Sequence, residues 1–243
     1  DILKDAGLPD GVYNNVYATN DQAATIIEDS RVQGVSLTGS ERAGQAVAKI
    51  AGGAIKKVVL ELGGSDAFIV AADADIAQAV QNAIVGRFGN TGQACNAAKR
   101  LIIVEDVYEP FVKGFTDAVR GISAADPMQE DTFIGPMSSV SAAENLQKQL
   151  DSAIQDGATV LVEGGMTKDK AGAWFAPAVL TDVDSSMNVY SEELFGPVAV
   201  IYKARDIAHA IEIANDVPFG LGASIQTQDA DLAADIADKL EVG

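Results

Sequence analysis

Apolar residues recur along this chain with two periods, roughly 2 and 3.6, and their alternation predicts strands and helices in turn. Residues 23–29 read as a short helix with Asp21 as its N-cap, and 32–37 as a buried strand broken by Thr38-Gly39-Ser40. A helix over 41–51 follows, stopped by Gly52-Gly53, then a strand over 57–62 ended by Gly63-Gly64. This strand–turn–helix–strand order is the unit of parallel nucleotide-binding sheets. The pattern then repeats: strand 67–70, helix 76–88, strand 101–104, helices 108–122 and 142–156, strand 159–162 and a loop over 164–172. Strands 198–202 and 222–225 bracket a helix over 207–214, and a helix over 230–240 closes the chain. An α/β fold with a mainly parallel sheet is expected. There is no internal repeat, and Gly63-Gly64 is the best candidate boundary, dividing the chain into 1–62 and 63–243.

Composition narrows the class. Hydrophobic residues make up 48% and charged residues 21% of the 243, as in a globular protein. The longest apolar runs, such as Ala67-Phe68-Ile69-Val70-Ala71-Ala72, have strand length, so no membrane span is expected. No basic stretch followed by an apolar one opens the chain, and there is one cysteine; a cytoplasmic location is expected. A net charge of −18 repels nucleic-acid phosphate and anionic lipid, so neither nucleic acid nor membrane is an expected partner. The sequence begins at Asp1 and stops at Gly243, where a helical pattern gives way to the start of a strand, so a fragment truncated at both ends is expected.

Chemistry concentrates in few places. Cys95 cannot form an intrachain disulfide, so beyond packing it can serve only nucleophilic or redox chemistry. A buried structural cysteine is the alternative, but the glycines of Gly89-Asn90-Thr91-Gly92-Gln93-Ala94-Cys95 permit close approach of backbone to a ligand. Glu61 ends the apolar run Val58-Val59-Leu60. Partly shielded there, its pKa would rise toward that of a general base; a solvated strand end is the other reading. In Thr38-Gly39-Ser40-Glu41-Arg42-Ala43-Gly44, N–H groups at a helix start could attract phosphate, although a tight turn with Ser40 as N-cap explains the run equally well. It lacks the three closely spaced glycines of the dinucleotide fingerprint. His209 reads as structural or solvent-facing, and no cluster has metal-ligand spacing, so no metal is expected.

Seven segments, in order, resemble the NAD(P)-dependent aldehyde dehydrogenase superfamily: Thr38-Gly39-Ser40, Glu61-Leu62-Gly63-Gly64, Asn90-x-Gly92-Gln93-x-Cys95, Gly135-Pro136-Met137, Phe175-Ala176-Pro177, Glu192-Glu193-Leu194-Phe195-Gly196-Pro197 and Asn215-Asp216-x-x-Phe219-Gly220-Leu221. The resemblance implies an aldehyde dehydrogenase-like fold: 1–62 as the C-terminal part of a Rossmann-like NAD(P)-binding domain, and 63–243 as an α/β catalytic domain. It implies Cys95 as the nucleophile that forms a thiohemiacetal and then a thioester, with its backbone N–H as an oxyanion donor. Glu61 resembles the base that activates water for hydrolysis, which argues against a coenzyme-A-acylating branch. Gly39, Ser40 and Gly44 match the loop and helix start beside the adenosine and pyrophosphate, and Leu62, Glu193 and Phe195 the residues around the nicotinamide ribose and ring. The cofactor implied is NAD or NADP, with NAD favoured, and the substrate a small-molecule aldehyde.

Gly86–Lys99-Arg100 looks most like bacterial succinate-semialdehyde dehydrogenases. Some members carry a carboxylate-binding arginine where Gly89 stands, six residues before Cys95; Arg87 is near, but helical geometry sends it elsewhere. An asparagine oxyanion donor and an adenine-ribose lysine are expected upstream of Asp1, and a subunit-pairing strand of a homodimer or homotetramer beyond Gly243. The 243 residues alone are therefore expected not to turn over. A non-catalytic member of the same fold is the rival reading.

Overall fold

The computed structural model describes residues 2–167 and 170–243. The chain divides into two compact units, Asp1–Leu62 and Gly63–Gly243.

In the first unit, helices α1 (Ile2–Asp5) and α2 (Asn20–Glu28) precede strand β1 (Gly34–Thr38), helix α3 (Glu41–Gly53) and strand β2 (Lys57–Glu61). The two strands pair in parallel with Thr38 opposite Glu61, and α3 is the crossover between them. Three expectations shift here. The N-cap of α2 is Thr19 rather than Asp21, because Thr19 and Gln22 close a reciprocal capping box. Strand β1 is not buried: its residues alternate between exposed and half-buried, as in a strand with one covered face. Helix α3 runs through Gly52 and Gly53, since Ala54 and Lys56 still donate to Ile50 and Ala51.

The second unit is a six-stranded sheet with helices on both faces. Its strands are β3 (Ala67–Val70), β4 (Arg100–Val104), β5 (Thr159–Val162), β8 (Ala178–Thr181), β9 (Val198–Ala204) and β10 (Ala223–Gln226), in the order β10-β3-β4-β9-β8-β5; β6 (Gly165–Met166) and β7 (Phe175–Ala176) form a separate short pair. All neighbours in the large sheet are parallel except β5 and β8. Alternation sorts the side chains. Phe68, Val70, Leu101, Ile103 and Ile201 face α4 (Ile76–Phe88) and α5 (Glu105–Arg120), where Phe88, Phe111 and Phe115 stack. Ile69, Ile102, Val200 and Tyr202 face α6 (Val140–Asp156), α8 (Ile207–Asn215) and α9 (Ala230–Ala237). A sheet buried on both faces explains the consecutive apolar residues Ala67–Val70 of β3 and Leu101–Val104 of β4.

Helix α5 begins three residues before the expected Tyr108, because the carboxylates of Glu105 and Asp106 suit the positive end of a helix; Pro110 then forgoes only its own bond. Helix α9 ends at Ala237 instead of Leu240. The remaining helix, α7 (Asn188–Ser191), is a single turn leading into Glu192. Among the described residues, no helix is long and apolar enough to cross a membrane.

Candidate active site

The sequence-predicted residues fall in both units. In the first, Gly39, Ser40 and Gly44 flank the start of α3, while Glu61 and Leu62 end β2. The N–H of Gly39 donates to the Glu61 carbonyl at 2.9 Å, continuing the parallel ladder. Ser40 is the N-cap, its Oγ accepting from the Ala43 N–H at 3.3 Å. Gly44 is glycine for packing: a Cβ there would sit 2.6 Å from Leu62 Cδ2, so it seats α3 on the end of β2. Glu61 is exposed, contrary to the shielding expected of it, because strand alternation puts it on the open face with Lys57 and Val59.

In the second unit three glycine-bearing loops converge on Cys95. The loop before the cysteine is strained. Asn90, Thr91 and Gly92 all have left-handed backbone, with φ of 53°, 57° and 70°. Thr91 secures it, its hydroxyl accepting from Gly135 N at 3.1 Å and donating to Gly135 O at 3.2 Å, and the Gln93 side chain accepts from Ser138 N at 2.8 Å. The Gly135-Pro136-Met137 segment is thus the buttress of the cysteine loop. A Cβ on Gly92 would lie 2.5 Å from the Gly196 carbonyl oxygen, and one on Gly64 2.7 Å from that of Cys95. A Cβ on Gly63 would collide with Glu193 Oε2. Each glycine therefore marks a place where another loop presses in.

Two buried cations lock these loops. Lys99, 1% exposed at its side chain, donates to the carbonyls of Ala94 at 2.8 Å and Cys95 at 2.9 Å, and pairs with Glu193 Oε1 at 3.2 Å. The same carboxylate oxygen accepts the Gly64 N–H at 3.1 Å. Burial draws the Lys99 ammonium below its ordinary pKa, and Glu193 opposes the shift. Arg87 is wholly buried and bonds only carbonyls: Val198 at 2.8 Å, Leu194 at 2.8 Å, Gly92 at 3.4 Å, and Gly196. Burial pushes its pKa down to about 9, again opposed by Glu193. Arg87 therefore fastens the Glu192–Pro197 segment to the cysteine loop. Phe195 is 43% exposed, its ring centroid 5.8 Å from Lys99 Nζ, and Cys95 is half-buried.

Residues 1–243, the whole chain, match the sequence profile described as the Aldehyde dehydrogenase family. The chain belongs to the aldehyde dehydrogenase family. It is 47% identical over its full length to the succinate-semialdehyde dehydrogenase [NADP(+)] of Deinococcus radiodurans, and 46% identical to the succinate semialdehyde dehydrogenase [NAD(P)+] Sad of Escherichia coli strain K12. It spans 50% and 52% of those relatives, about half their length. A succinic semialdehyde dehydrogenase of Streptococcus pyogenes, solved with NADP+, superposes with a TM-score of 0.95 at 37% identity, over 100% of this chain and 53% of that one.

Within this aldehyde dehydrogenase chain, the second unit brings Cys95, Glu193 and Phe195 together around Lys99, a residue the sequence reading passed over. It also passed over Arg100, whose guanidinium joins Ser65 at 2.8 Å, before β3, to the last carbonyls of α8, Ile213 at 2.7 Å and Ala214 at 2.8 Å. Asp66, 8% exposed, accepts the Gly222 N–H at 3.1 Å, and its pKa is raised by burial to about 6. The signal for all of them is the same: a charged residue in an otherwise apolar context, Arg87 before Phe88, Lys99-Arg100 before Leu101-Ile102-Ile103, and Asp66 before Ala67-Phe68. His209 is structural, its Nδ1 accepting from Arg205 N at 3.2 Å and its N–H reaching the Asp206 cap at 2.8 Å.

Proposed function

We propose that this chain is the catalytic part of a dehydrogenase that oxidises an aldehyde, succinate semialdehyde foremost, to its carboxylic acid with NADP. The observation that carries the reading is the convergence of the Gly63-Gly64, Asn90–Cys95 and Glu192–Pro197 loops, in which Lys99 ties the backbone of the half-buried Cys95 to a Glu193 carboxylate also held by Gly64. The names of the relatives move the choice of cofactor from NAD toward NADP.

The chain's residues fit a dinucleotide. In the second unit, Glu193 offers a fixed carboxylate to a ribose diol and Phe195 a partly exposed ring to the nicotinamide side; in the first unit, taken by itself, the start of α3 at Gly39, Ser40 and Gly44 offers a positive helix end to a diphosphate. When bound, the oxidised nicotinamide supplies the hydride acceptor. The Cys95 thiolate bonds to the carbonyl carbon, and the Cys95 N–H donates to the oxyanion that forms. Loss of hydride from that carbon leaves a thioester on Cys95. Glu61 takes a proton from water, the hydroxide adds to the thioester, and the thiolate leaves with the carboxylic acid released. A coenzyme-A-acylating enzyme would not need Glu61.

A cytoplasmic location suits a reaction that requires a reduced cysteine. A homodimer or homotetramer suits the second unit's sheet, whose edge strands β10 and β5 each keep one side unpaired among the described residues. The test uses the full-length enzyme. Cys95→Ala should lose at least ~10³-fold in kcat, as removal of a nucleophile does. Catalytic efficiency for succinate semialdehyde should exceed that for a neutral aldehyde of equal length; equal efficiencies would remove the semialdehyde assignment, and an active Cys95→Ala variant the mechanism.

A further inference from the structure

We propose that Lys99 is a positioning residue that aligns the Cys95 backbone N–H on the developing oxyanion, acting through the carbonyl of Ala94. The inference rests on the reading of Cys95 as nucleophile.

A peptide unit is planar, and in its trans form the N–H points opposite to the C=O. Among the described residues there are no cis peptide bonds. The Ala94 carbonyl and the Cys95 N–H belong to one such unit, so the bond from Lys99 Nζ to Ala94 O, 2.8 Å, fixes the direction of the Cys95 N–H. The second bond, to Cys95 O at 2.9 Å, fixes the next peptide plane. With both planes flanking its α-carbon held by one ammonium, Cys95 has its φ and ψ set together. The third ammonium donor goes to Glu193 at 3.2 Å, so the group's hydrogen-bonding capacity is filled and it cannot swing away.

Polarisation works in the same sense. An ammonium on a carbonyl oxygen draws charge through the amide and strengthens the N–H on the far side as a donor. Lys99 is almost wholly buried, so water does not screen this effect. Among the described residues the Cys95 N–H makes no hydrogen bond of its own, and it is free to donate. The glycine at position 64 permits the arrangement, since a side chain there would press on the Cys95 carbonyl that Lys99 holds.

An oxyanion donor matters only where an oxyanion forms. Aldehyde addition forms one; displacement of iodide from iodoacetamide by the same thiolate does not. In the full-length enzyme, Lys99→Met should therefore slow the first-turnover burst of NADPH by about 10–100-fold, somewhat less than outright loss of an oxyanion donor. The rate of Cys95 alkylation by iodoacetamide should stay within about threefold, because thiolate and access are kept. Lys99→Gln, which keeps an N–H donor without the charge, should show the same split at a smaller size and serves where the methionine variant does not fold. An unchanged burst, or a burst and an alkylation rate that fall together, overturns the proposal. Failure of the nucleophile reading looks different: Cys95→Ala would then keep the burst.

Discussion

Asp66 lies within the field of Lys99 and Arg100, yet burial outweighs both cations and raises its carboxyl to about 6. Below about pH 4 the group is protonated in folded and unfolded chains alike, and its contribution to stability is fully present. Between about pH 4 and 6 the unfolded chain ionises first, and stability is lost until the folded group ionises too. Asp66→Asn keeps the oxygen that accepts the Gly222 N–H and removes this titration. The variant should match the parent near pH 4 and exceed it by about 2–3 kcal/mol at pH 7, from a shift of roughly two pKa units at 1.36 kcal/mol each. Urea unfolding at the two pH values measures the difference; a variant less stable at pH 7 would contradict it. Cys95 stood out in the sequence as a lone thiol in a glycine-bearing run, whereas Glu193 and Phe195 entered only through the family resemblance. Asp66, Arg87 and Lys99 were not legible, because each has a partner from a distant part of the chain: the Gly222 N–H, the Val198 carbonyl and the Glu193 carboxylate.

At the scale of elements, the loops around Cys95 depend on glycines in unlike ways, and two of them make a paired prediction. Gly92 combines a left-handed φ of 70° with a neighbour, Gly196 O, only 2.5 Å from a prospective Cβ. Gly92→Ala should cost about 2–4 kcal/mol from backbone strain and displacement of the Glu192–Pro197 loop. Gly86 lies inside α4, where a Cβ would meet Ala98 Cβ at an ordinary 3.5 Å. Gly86→Ala should gain up to about 1 kcal/mol by restricting the unfolded chain. Thermal unfolding of the two variants should move in opposite directions, and the reverse order would contradict this account of the loop. The elements most legible in the sequence, β3, α4 and β5, are bounded by Asp or Gly residues that act as caps and stops. Strand β8 was missed: its three apolar residues and Thr181 follow Pro177 and are too few to show a period. Its place beside β9 comes from a long-range parallel pairing that no local pattern announces.

At the scale of the whole chain, the second unit's topology brings together motif segments as far as 129 residues apart. Gly64 and Glu193 meet through a hydrogen bond, Thr91 and Gly135 through two, and the Asn215 side chain reaches Lys239 and Glu241 near the chain's end at 2.9 and 3.0 Å. The net charge is −18, yet the buried charged side chains among the described residues are mostly cations, Arg87, Lys99 and Arg100, with Asp66 beside them. The central claim is that Cys95 carries the acyl group between oxidation and hydrolysis. The direct measurement is peptide mapping by mass spectrometry of the full-length enzyme carrying Glu61→Gln, in which hydrolysis is slowed, after one turnover with succinate semialdehyde and NADP. A succinyl thioester on the peptide containing Cys95, released by hydroxylamine, is the predicted result; an unmodified Cys95, or an acyl group on any other residue, would contradict it.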